Sequence, residues 1–182
     1  MKDLPLAKVF HWFEPGPVVL VATAQQGHAN LMTMSWHMML DFDPPKIACS
    51  IGPWDYSFAA LRKTKECVIA VPGADLMTKA VEIGNCSGAD IDKFAAFGLT
   101  AKPAKNVAAP LVGECLANVE CRVVDTSLVK KYNIFVVEAV KAWVNPSRKE
   151  QRVFHANGDG TFSISGRKVD LKKKMTKWQD IL

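Results

Sequence analysis

Residues 115–125, CLANVECRVVD, and residues 133–144, NIFVVEAVKAWV, decide the fold class. In the first, Leu116, Asn118, Glu120 and Arg122 alternate with Ala117, Val119, Cys121 and Val123, the period of two that sends successive side chains to opposite faces of a strand. The second is a long run rich in β-branched and aromatic residues, which suit a pleated surface better than a helix. Only TSLVKKY, residues 126–132, lies between them, so the two strands are expected to pair.

Further strands flank this pair. ECVIAV (66–71) ends at Pro72, and KIACSI (46–51) is entered through Pro44 and Pro45 and closed by Gly52-Pro53. NLMTMSW (30–36) alternates more loosely, and PVVLVATA (17–24) runs into the polar turn QQGHAN (25–30). Downstream, RVFHANGDGTFSISG (152–166) reads as a hairpin whose turn, Asn157-Gly158-Asp159-Gly160, is built from residues that accept positive φ. Helical signals gather in the middle third. SFAALRKTK (57–65) has Ser57 placed as N-cap, DLMTKAVEIG (75–84) opens at Asp75 and ends at Gly84, and DIDKFAAFG (90–98) opens at Asp90 and ends at Gly98. Strands joined mostly by turns, with helices confined to one stretch, predict a mainly β chain: an antiparallel barrel with helical insertions, not alternating βαβ units. No repeat, low-complexity segment or linker divides the chain, which reads as one domain over residues 1–182.

Composition narrows the functional classes. With 49% hydrophobic and 23% charged residues the chain is ordinary for a globular protein, and no stretch approaches the roughly 20 apolar residues of a membrane span. The N-terminal run MKDLPLAKVFHWFEPGP is broken by acidic residues and prolines and does not read as a signal peptide, so a cytoplasmic location is expected. Five scattered cysteines (Cys49, Cys67, Cys86, Cys115, Cys121), without a CxxC pair, fit a reducing compartment, and four scattered histidines offer no metal-ligand spacing. The net charge of +5 is concentrated in Arg167, Lys168, Lys172, Lys173, Lys174 and Lys177. Only Trp178 accompanies that run, so it reads as a solvated face or a positive field for anionic substrates, and no nucleic-acid partner is expected.

Five strings, in order along the chain, resemble the flavin-reductase-like family of FMN-binding split barrels, in particular its flavoredoxin branch. They are NLMTMSWHMMLDFDPPKIACSIG (30–52), DYSFAALRKTKECVIAVP (55–72), GNCSGADIDKFAAFGLT (84–100), APLVGECLANVECRVVD (109–125) and HANGDGTF (155–162). The resemblance implies a Greek-key antiparallel split β-barrel that forms a homodimer, with FMN held non-covalently near the subunit interface. It also implies electron transfer from NAD(P)H or a redox protein partner, through the flavin, to an acceptor. The absence of a G-x-G-x-x-G fingerprint after a strand agrees with FMN held without a Rossmann unit.

FMN presents a dianionic phosphate, a polar ribityl chain and a flat apolar ring with a hydrogen-bonding edge, and the sequence offers candidates for each. Ser57, at a positive helix end with Arg62 and Lys63 one to two turns on, suits the phosphate. Trp36 has the area to cover the ring, with Thr33 and Ser35 flanking it. Asn30 both donates and accepts, as the ring edge requires. Cys49, Ser50 and Ile51 approach through their backbone in the family, and Cys49 itself reads as a small buried residue. Lys93 is a cation for either the ring edge or the phosphate. Asn85 and Ser87, with Cys86 and Gly88, form a donor-rich loop before it, and Tyr132, His155 and Phe162 complete the candidates from the C-terminal third. No Ser-His-Asp or Cys-His set can be assembled, so no side chain is assigned a catalytic role. The expected function is an NAD(P)H-dependent flavin or ferric reductase. The alternatives are a flavoredoxin-type carrier with little nicotinamide activity and a split-barrel binding module without redox activity.

Overall fold

The computed structural model describes residues 16–174. In chain order the strands are β1 (Val19–Gln25), β2 (His28–Met34), β3 (His37–Phe42), β4 (Pro45–Ser50), β5 (Glu66–Val71), β6 (Ala101–Lys102) and β7 (Leu111–Val112). They are followed by β8 (Ala117–Asp125), β9 (Ile134–Val144), β10 (Phe154–Ala156) and β11 (Phe162–Ile164). Four helices, α1 (Tyr56–Thr64), α2 (Met77–Gly84), α3 (Lys93–Ala96) and α4 (Val129–Tyr132), lie between them. The reading of the N-terminal leader, and Lys177 and Trp178 of the basic run, fall outside the described residues.

Seven strands form one antiparallel sheet in the order β2-β1-β5-β8-β9-β4-β3, and this order forces closure. Its two end strands, β2 and β3, are separated in sequence only by Ser35 and Trp36. Two residues bridge about 10 Å at most, whereas the ends of a flat seven-stranded sheet would stand about 29 Å apart. The sheet therefore curls into a barrel that is split between β2 and β3. Sequential strands β4 and β5 sit three places apart in it, the crossover expected of a Greek-key split barrel.

Curling gives the sheet an enclosed face and an outer face, and protein covers both. Val19, Val21, Met34, Cys49, Ile51, Cys67, Ile69, Cys121, Phe135 and Val137 fill the inside, with Leu61 and Phe58 of α1 packed against them. Phe58 meets Phe135 edge-on at 5.6 Å between ring centroids. Outside, Leu20, Ala22, Val68 and Ala70 pack under Ala80 and Ile83 of α2, Phe94 of α3 and Phe154 of β10.

Double coverage changes the reading of CLANVECRVVD. β8 and β9 pair as expected, but the polar members of the alternation, Asn118 and Glu120, are buried. Asn118 brackets one residue of β7: its Oδ1 accepts the Val112 N–H at 2.7 Å and its Nδ2 donates to the Val112 carbonyl at 3.1 Å. The Glu120 carboxylate accepts the backbone N–H groups of Lys105 (3.0 Å) and Asn106 (2.5 Å) and the Trp143 indole N–H (2.7 Å). Side chains thus tie the 105–112 segment to the outer face.

Other elements shift from their expected places. β3, HMMLDF, is an additional strand between the two read from the sequence; five of its six residues are exposed, so it carries no inside–outside alternation to betray it. Ser57 is not the N-cap of α1. Asp55 holds that position, its carboxylate turned back to accept the Gly52 N–H at 2.8 Å, and Ser57 lies inside the first turn with its side chain fully buried. A 3-10 turn, Ala74–Leu76, precedes α2, so that helix starts at Met77 instead of Asp75. Asp92, not Asp90, caps α3, accepting the Ala95 N–H at 3.2 Å. The final hairpin is as expected, with Gly158 and Gly160 at φ of 74° and 86°.

Candidate functional site

A groove runs along β2. Its floor is Asn30, Met32, Thr33 and Met34; one wall is the Pro53–Tyr56 approach to α1, and the other is the Gly84–Ser87 loop with Lys93 of α3. It comprises lobes of about 480, 190 and 180 Å³ that share Trp54 and Asp55, and the last ends at Ser35, Trp36 and Ser50. The barrel's closure places this groove, since Ser35 and Trp36 are the two residues that cross the split.

Two glycines set its shape. A Cβ on Gly52 would stand 2.3 Å from the Trp54 indole, so the ring lies against bare backbone while the residue remains 76% exposed. A Cβ on Gly88 would stand 2.0 Å from Asn30 Oδ1 and 2.7 Å from Tyr56 Cδ1, so this loop seals Asn30 only because it has no side chain there.

Asn30 and Lys93 carry the polar chemistry. Asn30 is 5% exposed; its Nδ2 donates to Ser57 Oγ at 2.8 Å, and Thr23 Oγ1 reaches the same hydroxyl at 3.4 Å. Asn30 Oδ1 is buried without a hydrogen-bond partner among the described residues, a state that ordinarily costs about 1–3 kcal/mol. Lys93 is 4% exposed and donates to the Ile83 carbonyl at 2.8 Å. Burial draws its pKa below the ordinary lysine value, and Cys86 and Asp55 pull it back up. The groove thus presents a buried cation, an unpaired acceptor and, at the split, an indole that is 62% exposed at Trp36.

Of the residues expected from the sequence, Asn30, Thr33, Ser35, Trp36, Ser50, Asn85, Ser87 and Lys93 line these lobes, and Cys86 joins them. Cys49 and Ile51 are buried in the barrel beside it, and burial pushes the Cys49 thiol up to about 12, in keeping with its reading as an inert residue. Ser57 lies beneath the groove and acts on it through Asn30. Arg62 and Lys63 sit in the last turn of α1, away from the helix start, and Arg62 stacks over Phe58 at 5.6 Å. Tyr132 is exposed on α4, Phe162 packs edge-on against Phe154, and the His155 ring nitrogen Nε2 pairs with Ser165 Oγ at 3.2 Å; none of the three lines the groove of its own chain. Trp54, Asp55 and Tyr56 were not singled out from the sequence. Two aromatic residues where a glycine–proline turn enters a helix were the available signal.

An antiparallel split barrel with a polar, aromatic-walled groove along β2 defines a class of β proteins. Residues 13–162 match the flavin reductase like domain, and the chain belongs to that family. The flavoredoxin of Desulfovibrio vulgaris (Miyazaki F) is 25% identical and superposes with a TM-score of 0.82, covering 93% of this chain and 96% of that one. An FMN-binding domain of a flavin reductases-like enzyme from Shewanella baltica OS155 shares the fold at 24% identity and a TM-score of 0.79, covering 93% and 96% of the two chains. A protein of Archaeoglobus fulgidus is 35% identical over 109 residues; the match covers 60% of this chain and 62% of that protein, less than two thirds of its length.

Proposed function

We propose that the groove holds FMN non-covalently and that the chain is a cytoplasmic oxidoreductase that passes electrons from NAD(P)H through FMN to free flavin, ferric iron or a protein. The observation that carries this reading is that Asn30, with its unpaired Oδ1, and the buried Lys93 line one lobe of a groove flanked by exposed indoles. Each need of FMN has a residue to meet it. Trp36 and Trp54 offer flat area, Asn30 an acceptor for a ring N–H, Ser35, Asn85 and Ser87 partners for hydroxyls and ring carbonyls, Thr33, whose hydroxyl donates to the Ala80 carbonyl, an acceptor for a ligand hydroxyl, and Lys93 a cation for negative charge. The lobes together suit a ligand of this size, since small-molecule sites run to about 300–1,000 Å³.

Bound FMN would supply the hydride and electron chemistry; the side chains bind, orient and exclude water. Asn30 is preorganised for this by Ser57, which takes one face of its amide and leaves the other for ligand. Lys93→Met is expected to weaken FMN binding at least tenfold or to lower its reduction potential, read by flavin-fluorescence titration and anaerobic redox titration; an unchanged affinity and potential would remove Lys93 from the site.

Purification provides the primary test. A yellow protein that releases FMN on denaturation supports the binding reading, and a colourless protein that cannot be reconstituted with FMN leaves a non-redox binding module. Bleaching by NADH or NADPH without oxygen supports the reductase. Its absence, with bleaching by a reduced protein partner, supports the flavoredoxin-type carrier, which the likeness to the Desulfovibrio protein favours.

The functional unit in this reading is a homodimer. Met38, Met39, Leu40 and Phe42 of β3 are all exposed, a concentration of apolar side chains on one edge strand. A second copy covers it and brings Tyr132 or Phe162 toward its neighbour's groove. Light scattering is expected to give twice the chain mass, and the double variant Met39→Glu, Phe42→Glu the single mass.

A further inference from the structure

We propose that Cys86 is a reversible thiol gate on the groove: it exchanges with a small disulfide, and the adduct fills the lobe and excludes FMN. The exchange stands on the cysteine's own surroundings, while the exclusion of FMN rests on the function proposed above.

Selectivity comes from placement. Cys49, Cys67, Cys115 and Cys121 are buried, whereas Cys86 is half-exposed and lines the 190 Å³ lobe. Burial pushes the Cys115 thiol, like that of Cys49, up to about 12, and a hydrogen bond with Cys121, then burial, hold Cys67 well above its ordinary value. A thiolate is the attacking species, so these three stay inert near neutral pH. Cys86 has a different neighbour. Its Sγ lies 3.6 Å from the Ile83 carbonyl oxygen, the same atom to which Lys93 Nζ donates at 2.8 Å, so thiol and ammonium converge on one backbone oxygen. The ammonium attracts any carboxylate carried by an incoming disulfide.

A second feature of the same lobe points independently to a ligand. Asn30 lines it, and its Oδ1 is buried with no hydrogen-bond donor among the described residues, so an N–H or O–H that reaches it gains a hydrogen bond that the protein leaves unmade.

The step is balanced. The Cys86 thiol loses its proton to solvent, and its sulfur attacks one sulfur of the disulfide R–S–S–R. A new S–S bond joins Cys86 to one R–S half while the old bond breaks, and the other half leaves as thiolate with the bonding electron pair. Excess thiol reverses the exchange, and no further oxidant takes part.

The test uses the full chain, reduced and desalted, with dithiobis(nitrobenzoate) as the disulfide. One equivalent of thionitrobenzoate is expected in a fast phase from folded protein, and five after denaturation, matching the five cysteines. Cys86→Ser and Cys86→Ala are each expected to lose the fast phase, Lys93→Met to slow it at least tenfold, and saturating FMN to protect against it. The adduct is expected to bind FMN at least tenfold more weakly, with affinity restored by dithiothreitol. A fast equivalent that persists in both Cys86 variants overturns the site, and an adduct with unchanged FMN affinity overturns the gate. Reduced, unmodified protein that binds no FMN defeats the flavin reading and the gate with it, whereas the fast phase is judged on the Cys86 variants alone.

Discussion

Gly88→Ala is expected to abolish FMN retention while leaving the barrel folded. The added Cβ would stand 2.0 Å from Asn30 Oδ1 and 2.5 Å from Asn30 Cγ, far inside ordinary contact. Gly88 is not among the described residues with positive φ, so its backbone accepts alanine and only space is at issue. Of the atoms in the way, the half-exposed Tyr56 ring can swing aside, but Asn30 cannot. It is 5% exposed, held from below by Ser57, and carried by a strand paired along its length with β1. The 85–88 loop must therefore move outward, which pulls Asn85, Cys86 and Ser87 off the groove wall and opens Asn30 to water. We expect a fall of at least a hundredfold in FMN affinity by fluorescence titration, with the melting temperature lowered by only a few degrees because no core side chain is lost. Tyr56→Ala in the same background should not rescue binding. A Gly88→Ala protein that holds FMN as tightly as the parent would show that the Asn30–Gly88 contact does not shape the site.

How much of this was legible in the sequence depends on whether a residue's surroundings come from its own strand or from elsewhere in the chain. β5 is coextensive with ECVIAV because Pro72 and a β-branched run mark it locally. The β8–β9 pairing follows from two long strands and a short connection, and the last hairpin from glycines that its turn requires. The burial of Asn118 and Glu120 could not be read this way. Their cover is the 105–112 segment, tied down by side-chain hydrogen bonds that leave no periodic trace. β3 was missed for the opposite reason: its apolar residues face outward, and a strand without a buried face does not alternate. In the groove, Asn30, Thr33, Trp36 and Lys93 were found through their family strings, but Ser57 was read as the cap of α1, a position that Asp55 holds. A serine two residues inside a helix start looks like a cap, and only the fold shows that its hydroxyl turns inward to Asn30. Trp54 escaped because its position depends on the bare backbone of Gly52 beneath it.

Glu120→Ala is expected to destabilise the fold by about 4 kcal/mol, through the release of the 105–107 segment from the sheet. The carboxylate is fully buried, and no ion pair involves it among the described residues. Lysine is present nearby as Lys141, the cross-strand neighbour on β9, but its ammonium stacks over Trp143 at 4.7 Å. What holds the charge is a set of N–H donors. Burial alone would raise the pKa; the donors from Lys105, Trp143, Asn106 and Val107 outweigh it and bring the carboxyl below its ordinary value of 4.5. A group with a lowered folded pKa stabilises the fold above its unfolded pKa, and that contribution fades as pH falls through the folded value. The gap in stability between parent and Glu120→Ala is therefore expected to be full above about pH 5 and to narrow steadily below 4.5, measured by urea denaturation at each pH. Glu120→Gln keeps the shape and one acceptor but turns an amide N–H toward other donors, so it should lose about 2 kcal/mol and show a flatter pH profile. The Trp143 indole N–H resonance reports the same event locally, because Nε1 donates to this carboxylate at 2.7 Å. A gap that stayed constant down to pH 3 would mean that the carboxylate's charge is not what binds the segment, and that packing around Val107 holds it instead.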